Sequence, residues 1–145
     1  MPLLWLFFAI LLTSQALFNT HQAGITQAMT DAEISATAGS ILVYRNFVAM
    51  YAESNPAFVG SAGDVQMSIP SWYIRPPGLN NYIVTGRSYV YYTTMLPGLV
   101  GSLAAKTEST TVGTNVGGVL NSPNTGNTGI VLPAQVPVAA TVIVQ

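Results

Sequence analysis

Residues 30–56, TDAEISATAGSILVYRNFVAMYAESNP, carry the signals of one long helix. Thr30 as the N-cap residue places Glu33 at the third helical position, which is the spacing of a capping box. Pro56 ends the helix because the residue before a proline avoids the helical region of backbone space. These signals predict a helix of about six turns over residues 32–53.

One face of this helix is apolar, because apolar residues recur along it at spacings of three and four. Its apolar members are Ile34, Ala38, Ile41, Val48 and Ala52. Arg45 lies on the same stripe. A partly buried arginine extends its charged end to the edge of the core, pairs with an acid such as Glu53 or Glu108, or contacts an assembly partner. Arg45 is therefore a candidate partner contact.

The rest of the chain carries mainly strand and turn signals. Strands are predicted at 65–69 with a continuation at 71–74, and at 82–84, 89–92, 110–112, 116–120, 130–132 and 141–144. Thr85–Ser88 suits a hairpin turn, Pro97 suits the first position of a short helix over 98–106, and residues 121–129 suit a polar loop. This order predicts an α+β fold in which a long amphipathic helix packs on a mostly antiparallel sheet, with one further short helix.

The first 25 residues predict a membrane anchor, followed by a translocated α+β domain over residues 26–145. The apolar anchor residues are Leu3, Leu4, Trp5, Leu6, Phe7, Phe8, Ile10, Leu11, Leu12, Leu17 and Phe18. No charged residue precedes Asp31. An uncharged span of about 20 residues, the length that crosses the hydrocarbon core, fits into this segment. The pattern predicts an N-terminal transmembrane helix.

A cleaved signal peptide is the alternative for the same segment. The apolar run has a suitable length, and Ser14-Gln15-Ala16 or His21-Gln22-Ala23 has the small residues of a weak cleavage site. However, only Met1 and Pro2 precede the run, without the Lys or Arg that signal peptides carry there. We favour the uncleaved anchor.

Composition excludes several classes of function. Charged residues make up 6% of the 145 residues, against about 25% in typical soluble domains, which argues against a freely soluble monomer. The net charge of −1 offers no basic footprint for nucleic acid. The absence of Cys and the presence of one His exclude thiolate and multi-histidine metal centres. Ser102 and Lys106, four residues apart, are interpreted as solvent neighbours, so no catalytic residue, metal site or cofactor is predicted.

Aromatic and arginine residues concentrate in the middle of the chain, and these types are enriched at protein interfaces. The candidate partner contacts among them are Trp72, Tyr73, Arg75, Tyr89 and Tyr91. The 37 residues after Glu108 carry no charge. Because strand edges are normally protected by charged residues, this segment is expected to border another subunit. Thr141 is its candidate contact residue.

Several segments together resemble the PilM family of plasmid-encoded type IVb thin pili. They are the apolar start, Ile41–Asn46, Glu53–Pro56, Gly86–Tyr92, Pro97–Gly101, Leu132-Pro133 and Thr141–Val144. The resemblance implies an inner-membrane protein of the pilus biogenesis machinery in conjugation, with its C-terminal domain in the periplasm. It also implies other pilus-assembly membrane proteins as partners, with a second copy of the chain as a further candidate. The family offers no catalytic motif to transfer.

Two other interpretations stay open. A minor pilin or pilin-like subunit has a long N-terminal helix followed by an antiparallel sheet, but this chain lacks a basic leader and a Gly-Phe processing junction before its apolar run. A small secreted binding domain, released by signal cleavage, is the less favoured possibility.

Alkaline carbonate extraction of membranes should leave this protein in the pellet, because an apolar helix within the bilayer resists a treatment that releases peripheral proteins. Intact mass of the pelleted chain checks that it is full length. A released chain cleaved after Ala16 or Ala23 would contradict the anchor.

Overall fold

The computed structural model describes the backbone of residues 2–145 and the side chains of residues 27–145. The chain divides into two compact units, Met1–Glu33 and Ile34–Gln145. Within residues 2–145 the elements are two helices and seven strands. They are α1 (Pro2–Ser54), β1 (Val59–Gly60), β2 (Leu79–Val84), β3 (Arg87–Tyr92), α2 (Leu99–Thr107), β4 (Val112–Val116), β5 (Val119–Ser122), β6 (Gly126–Val131) and β7 (Thr141–Val144).

The first unit is helical, and in it the Gln27 side chain donates a hydrogen bond to Asp31 Oδ1 at 3.0 Å. The predicted anchor residues Leu3 to Phe18 lie outside the residues whose side chains are described. Among the residues from 27 onward, no helix is long and apolar enough to cross a membrane. The anchor therefore remains a prediction.

The prediction that the helix starts at Thr30 is wrong, because α1 runs from Pro2 to Ser54 without a break. A capping box marks a helix start only where the preceding chain leaves the helical conformation. No proline lies between Pro2 and Pro56, so nothing of that kind stops the helix before Thr30. The C-terminal end, one residue after the predicted limit of 53, agrees with the expectation.

All strands join one antiparallel sheet in the order β1-β2-β3-β7-β4-β5-β6. The α+β prediction with an antiparallel sheet is thus confirmed. The last strand, β7, enters the middle of the sheet, where Ile143 stands opposite Val90 on one side and Val112 on the other. Because β7 is paired along both edges, it offers no free edge to another subunit.

The sheet separates two cores. The long helix covers the first, and its buried residues there are Ala38, Ile41, Tyr44, Val48 and Ala52. They pack against the inner face of the sheet, including Ile83, Val90 and Ile143. The second core lies on the other face, where Leu132 and Val136 cover Leu120 and Val142. The predicted packing of an apolar helix stripe on the sheet is confirmed.

The strand predicted at residues 65–69, with its continuation at 71–74, is wrong. The amides of Met67 and Ile69 bond back to the carbonyls of Gly63 and Asp64, as in helical turns. Ser68 has a positive φ of 53°, which interrupts an extended chain. The apolar alternation in this run is too short to outweigh these local turn bonds.

The strand predicted at 116–120 and the loop at 121–129 are also wrong. Gly117 and Gly118 have φ values of 60° and 85°, so a two-residue turn divides that segment into β4 and β5. Much of the predicted loop forms β6 because it pairs with β5. The hairpin turn before β3 is confirmed, with Thr85 and Gly86 at positive φ. Pro97 precedes Gly98, the N-cap residue of α2, and so lies outside the first helical position.

A Gly113→Ala substitution should lower the free energy of unfolding by about 1–3 kcal/mol. A Cβ atom at this position in β4 would overlap the main-chain carbonyl of Asn121 in the neighbouring strand, which cannot move without disturbing the sheet. Urea unfolding followed by circular dichroism measures the change.

The matched control is Gly101→Ala, because a Cβ there meets nothing within 4 Å and the residue lies inside α2. It should leave stability unchanged or raise it by up to about 1 kcal/mol. Equal losses in the two variants would show that the close approach at Gly113 does not limit the sheet.

Candidate functional site

A buried polar cluster joins the middle of α1 to the sheet. Tyr44, 0% exposed, accepts a hydrogen bond of 2.7 Å from the side-chain amide of Asn81 in β2. The same amide group donates to the Ala62 carbonyl at 2.9 Å, and its oxygen accepts from the Ala62 amide at 2.8 Å. Asn81 is thereby satisfied in the core, as a buried amide requires. Helix, sheet and the 61–62 segment are held together at this point.

Arg75 extends this cluster toward solvent. Its guanidinium lies 5.8 Å from the centre of the Tyr44 ring and donates to the Tyr44 hydroxyl at 3.2 Å. The same Nη1 lies 3.2 Å from Asp64 Oδ1, an ion pair that lacks hydrogen-bond geometry. The hydrogen bond to Tyr44 raises the pKa of Arg75, so its charge is retained. Because both charged groups are partly exposed, their attraction contributes at most about 1 kcal/mol.

Tyr73 attaches the same loop to α1. Its ring stacks on Tyr44 with centroids 6.2 Å apart, and its hydroxyl donates to the Ser40 carbonyl at 2.9 Å. The Ser40 hydroxyl donates back to Tyr73 at 3.2 Å. Burial raises the pKa of Tyr73, and the bond from Ser40 opposes that rise. The phenol is thus neutral at physiological pH and acts as a structural anchor.

The residues on either side of Tyr73 point outward. Trp72 is 70% exposed and Ile74 is 84% exposed, although both are large and apolar. Trp72 meets the edge of the Tyr73 ring with centroids 6.2 Å apart. We call Trp72, Ile74 and Arg75 the Trp72 surface. It presents two apolar side chains on a base that hydrogen bonds hold in place, as protein-binding patches do.

The structure brings together only some of the predicted contact residues, namely Trp72, Tyr73 and Arg75. Tyr89 and Tyr91 share one face of β3, as predicted, but it is the face of the second core, where Tyr89 is buried. Because its side chain is buried, Tyr89 is a packing residue, and its interpretation as a partner contact is corrected. Thr141 is half-buried in β7, opposite Tyr92 and Thr114, so it meets no partner through a strand edge.

Arg45 pairs with neither Glu53 nor Glu108, the acids expected for it. Its Nε atom is buried and has no hydrogen-bond partner among the described residues. Sequence reasoning also missed Tyr44, Asp64 and Ile74. Tyr44 follows Ile41 by three residues and precedes Val48 by four, a helical spacing that would have revealed it. The Asp64–Arg75 ion pair has no comparable local signal.

Among the described residues, no group of three or more His, Cys, Asp or Glu side chains is placed to hold a metal ion. The main-chain amide of Ser102 bonds to the Gly98 carbonyl within α2. What the cluster can do chemically is to position a surface.

Tyr44→Phe should lower the free energy of unfolding by about 1–2 kcal/mol, because it removes the acceptor of buried Asn81 and of Arg75. Tyr82→Phe is the control, since the Tyr82 hydroxyl has no hydrogen bond in the described part of the chain and its loss should cost less than about 0.5 kcal/mol. Thermal or urea unfolding compares the variants. Equal small effects would show that the Tyr44 hydroxyl does not hold the helix on the sheet.

Comparison with known proteins assigns a family. The PilM family model matches residues 7–144. The fold is similar to the crystal structure of a protein described as PilM from Escherichia coli B7A, with a TM-score of 0.60 and 24% identity over 79% of this chain and 93% of that one. A protein described as PilM from Pseudomonas aeruginosa 2192 is 37% identical, with a TM-score of 0.52, over 78% of this chain and 93% of that one. No curated protein matches the chain. The chain therefore belongs to the PilM family of pilus-related proteins.

Proposed function

We propose that this protein is a non-enzymatic structural component of a type IVb pilus assembly machinery that serves conjugation. In this proposal the apolar N-terminal segment holds it in the bacterial inner membrane and the C-terminal domain works in the periplasm. Membership of the PilM family supports the pilus assignment. The uncharged run before Asp31 supports the anchor.

The Trp72 surface is the observation that carries the proposal. Trp72 and Ile74 are two large apolar side chains exposed to water, and contact with a partner would remove their apolar area from water. The Trp72 ring contacts the ring of Tyr73, whose hydroxyl is hydrogen-bonded to α1. Because the loop is already held by this bond, binding a partner costs little conformational entropy there. Such an aromatic residue with an arginine nearby is the usual centre of a binding site. We expect the Trp72 surface to bind an apolar depression on another pilus-assembly protein.

The polar chemistry of the domain also supports a structural role. The polar side chains of the cluster, those of Tyr44, Tyr73 and Asn81, bond to one another, to Ser40 or to main-chain atoms. A catalytic group would need to face a substrate with a free proton donor or acceptor. The hydrogen bonds of these side chains instead hold in place the loop that carries Trp72.

Ile74→Glu tests the surface, because it places a charge where the proposal requires apolar contact. It should reduce pilus assembly and mating by at least about tenfold, as burying an unpaired charge does, while protein level and melting temperature stay unchanged. Complementation of a deletion strain with full-length protein measures this. A photocrosslinker at Trp72 should capture another membrane protein of the machinery.

Val138→Glu is the matched control, since Val138 is 72% exposed and belongs to the segment that covers the second core. It should leave assembly intact. Normal assembly with Ile74→Glu would contradict the role of the Trp72 surface.

Fractionation separates the proposal from its alternatives. Full-length protein in the inner membrane is the expected result. Incorporation into sheared filaments would favour a pilin-like subunit, and a shortened chain in the medium would favour a secreted binding domain.

A further inference from the structure

A second feature of the domain is an open pocket of about 600 Å³ beside α1. Its lining includes Leu42 and Arg45 of α1, Lys106 at the end of α2 and Val144 of β7. None of these residues belongs to the Trp72 surface. The volume lies within the range of about 300–1,000 Å³ that is usual for ligand sites.

The charge of this pocket is one-sided. Arg45 and Lys106 are both cationic, and no acidic side chain lines the pocket. Arg45 Nε is buried without a hydrogen-bond partner, and among the described residues neither cation has an ion pair, the Arg75–Asp64 contact being elsewhere. A buried donor without an acceptor costs about 1–3 kcal/mol, more if it is charged. The two cations are therefore available to bind an anionic group.

Three of the other polar side chains that line the pocket are already engaged, while Asn46 and Gln145 also line it. Ser109 and Thr111 hydroxyls lie 2.8 Å apart and bond to each other, and the Thr107 hydroxyl donates to the Leu103 carbonyl. The Val144 amide bonds to the Thr111 carbonyl at 3.0 Å, which fixes the wall between β7 and the residue before β4. The two cations are therefore the pocket's strongest donors, on a rigid frame.

We propose that this pocket binds a carboxylate side chain of an acidic peptide segment from a partner protein. Arginine and lysine donate charge-assisted hydrogen bonds to a carboxylate. The apolar walls, Leu42 and Val144, suit the methylene stem and the neighbouring apolar residues of such a segment. A free inorganic ion would leave most of the volume unused.

A phosphate group fits less well. Lys106 and Thr107 are the last residues of α2, so the negative end of that helix dipole lies at the pocket. A singly charged carboxylate tolerates this field better than a doubly charged phosphate does. The negative charge of Glu108, which follows α2 directly, likewise disfavours a doubly charged phosphate. The pocket shares no residue with the Trp72 surface, so failure of either proposal leaves the other standing.

The test uses full-length, isotope-labelled protein in detergent micelles and an NMR titration with the peptide N-acetyl-Leu-Glu-Glu-Leu-amide. The amides of Thr111 and Val144 should shift, and the matched peptide with Gln in place of Glu should bind at least about tenfold more weakly. Arg45→Gln and Lys106→Gln should each weaken binding of the acidic peptide by about tenfold. Arg87→Gln, which removes an exposed arginine at the start of β3, should leave affinity unchanged.

Several results would overturn the proposal. Equal affinity for the two peptides, or an equal loss with Arg87→Gln, would reduce the effect to non-specific attraction. Tighter binding of inorganic phosphate than of the acidic peptide would assign a phosphate site instead. Concentration-dependent self-association that Arg45→Gln abolishes, without peptide binding, would assign the pocket to a second copy. Should Arg45→Gln fail to fold, peptide binding by the Lys106→Gln variant decides the test, because Lys106 is exposed and its substitution leaves the core intact.

Discussion

The hydroxyl of Tyr44 is the point on which the arrangement of the domain depends. It lies in the core between α1 and the sheet and accepts hydrogen bonds from Asn81 on one side and Arg75 on the other. A polar atom in this position is costly unless satisfied, so helix, sheet and loop must adopt one mutual placement. Apolar contacts alone would hold α1 on the sheet but would leave its register less strictly specified.

The loop that carries Trp72 gains its order from the same interaction. Segment 61–78 contains no strand or helix, yet it is tied to α1 through Tyr73 and Ser40 and to Tyr44 through Arg75. These contacts hold the irregular segment against a helix, which positions the side chains that it carries. An exposed tryptophan on such a base is the feature on which the proposed role in pilus assembly rests.

The two proposed binding features use different chemistry. The Trp72 surface offers apolar area around an arginine that already has a carboxylate nearby. The pocket beside Arg45 offers positive charge with no acid among its lining residues. A protein with both features can contact an assembly at two places, one recognised by shape and the other by charge. The chain has four Lys and Arg residues, so the two cations at this pocket are half of its basic residues.

The sequence alone was sufficient for the features that depend on neighbouring residues. The apolar spacing from Ala38 to Ala52, the Thr85-Gly86 turn and the β7 segment each produce a local signal, and the structure bears out all three. The family resemblance also followed from short segments read together, and it holds over residues 7–144.

Tertiary structure decided what depends on distant residues. The segment at 65–69 alternates like a strand but finds no partner strand, whereas polar residues near Asn127 become β6 because β5 lies beside them. The position of β7 between β3 and β4 likewise depends on pairing across about fifty residues of chain. The ion pair of Asp64 with Arg75 and the unpaired Nε of Arg45 arise only when separate segments meet. Local sequence determines which conformation a segment prefers, but hydrogen-bond partners and burial, which decide the outcome here, are supplied by the rest of the fold.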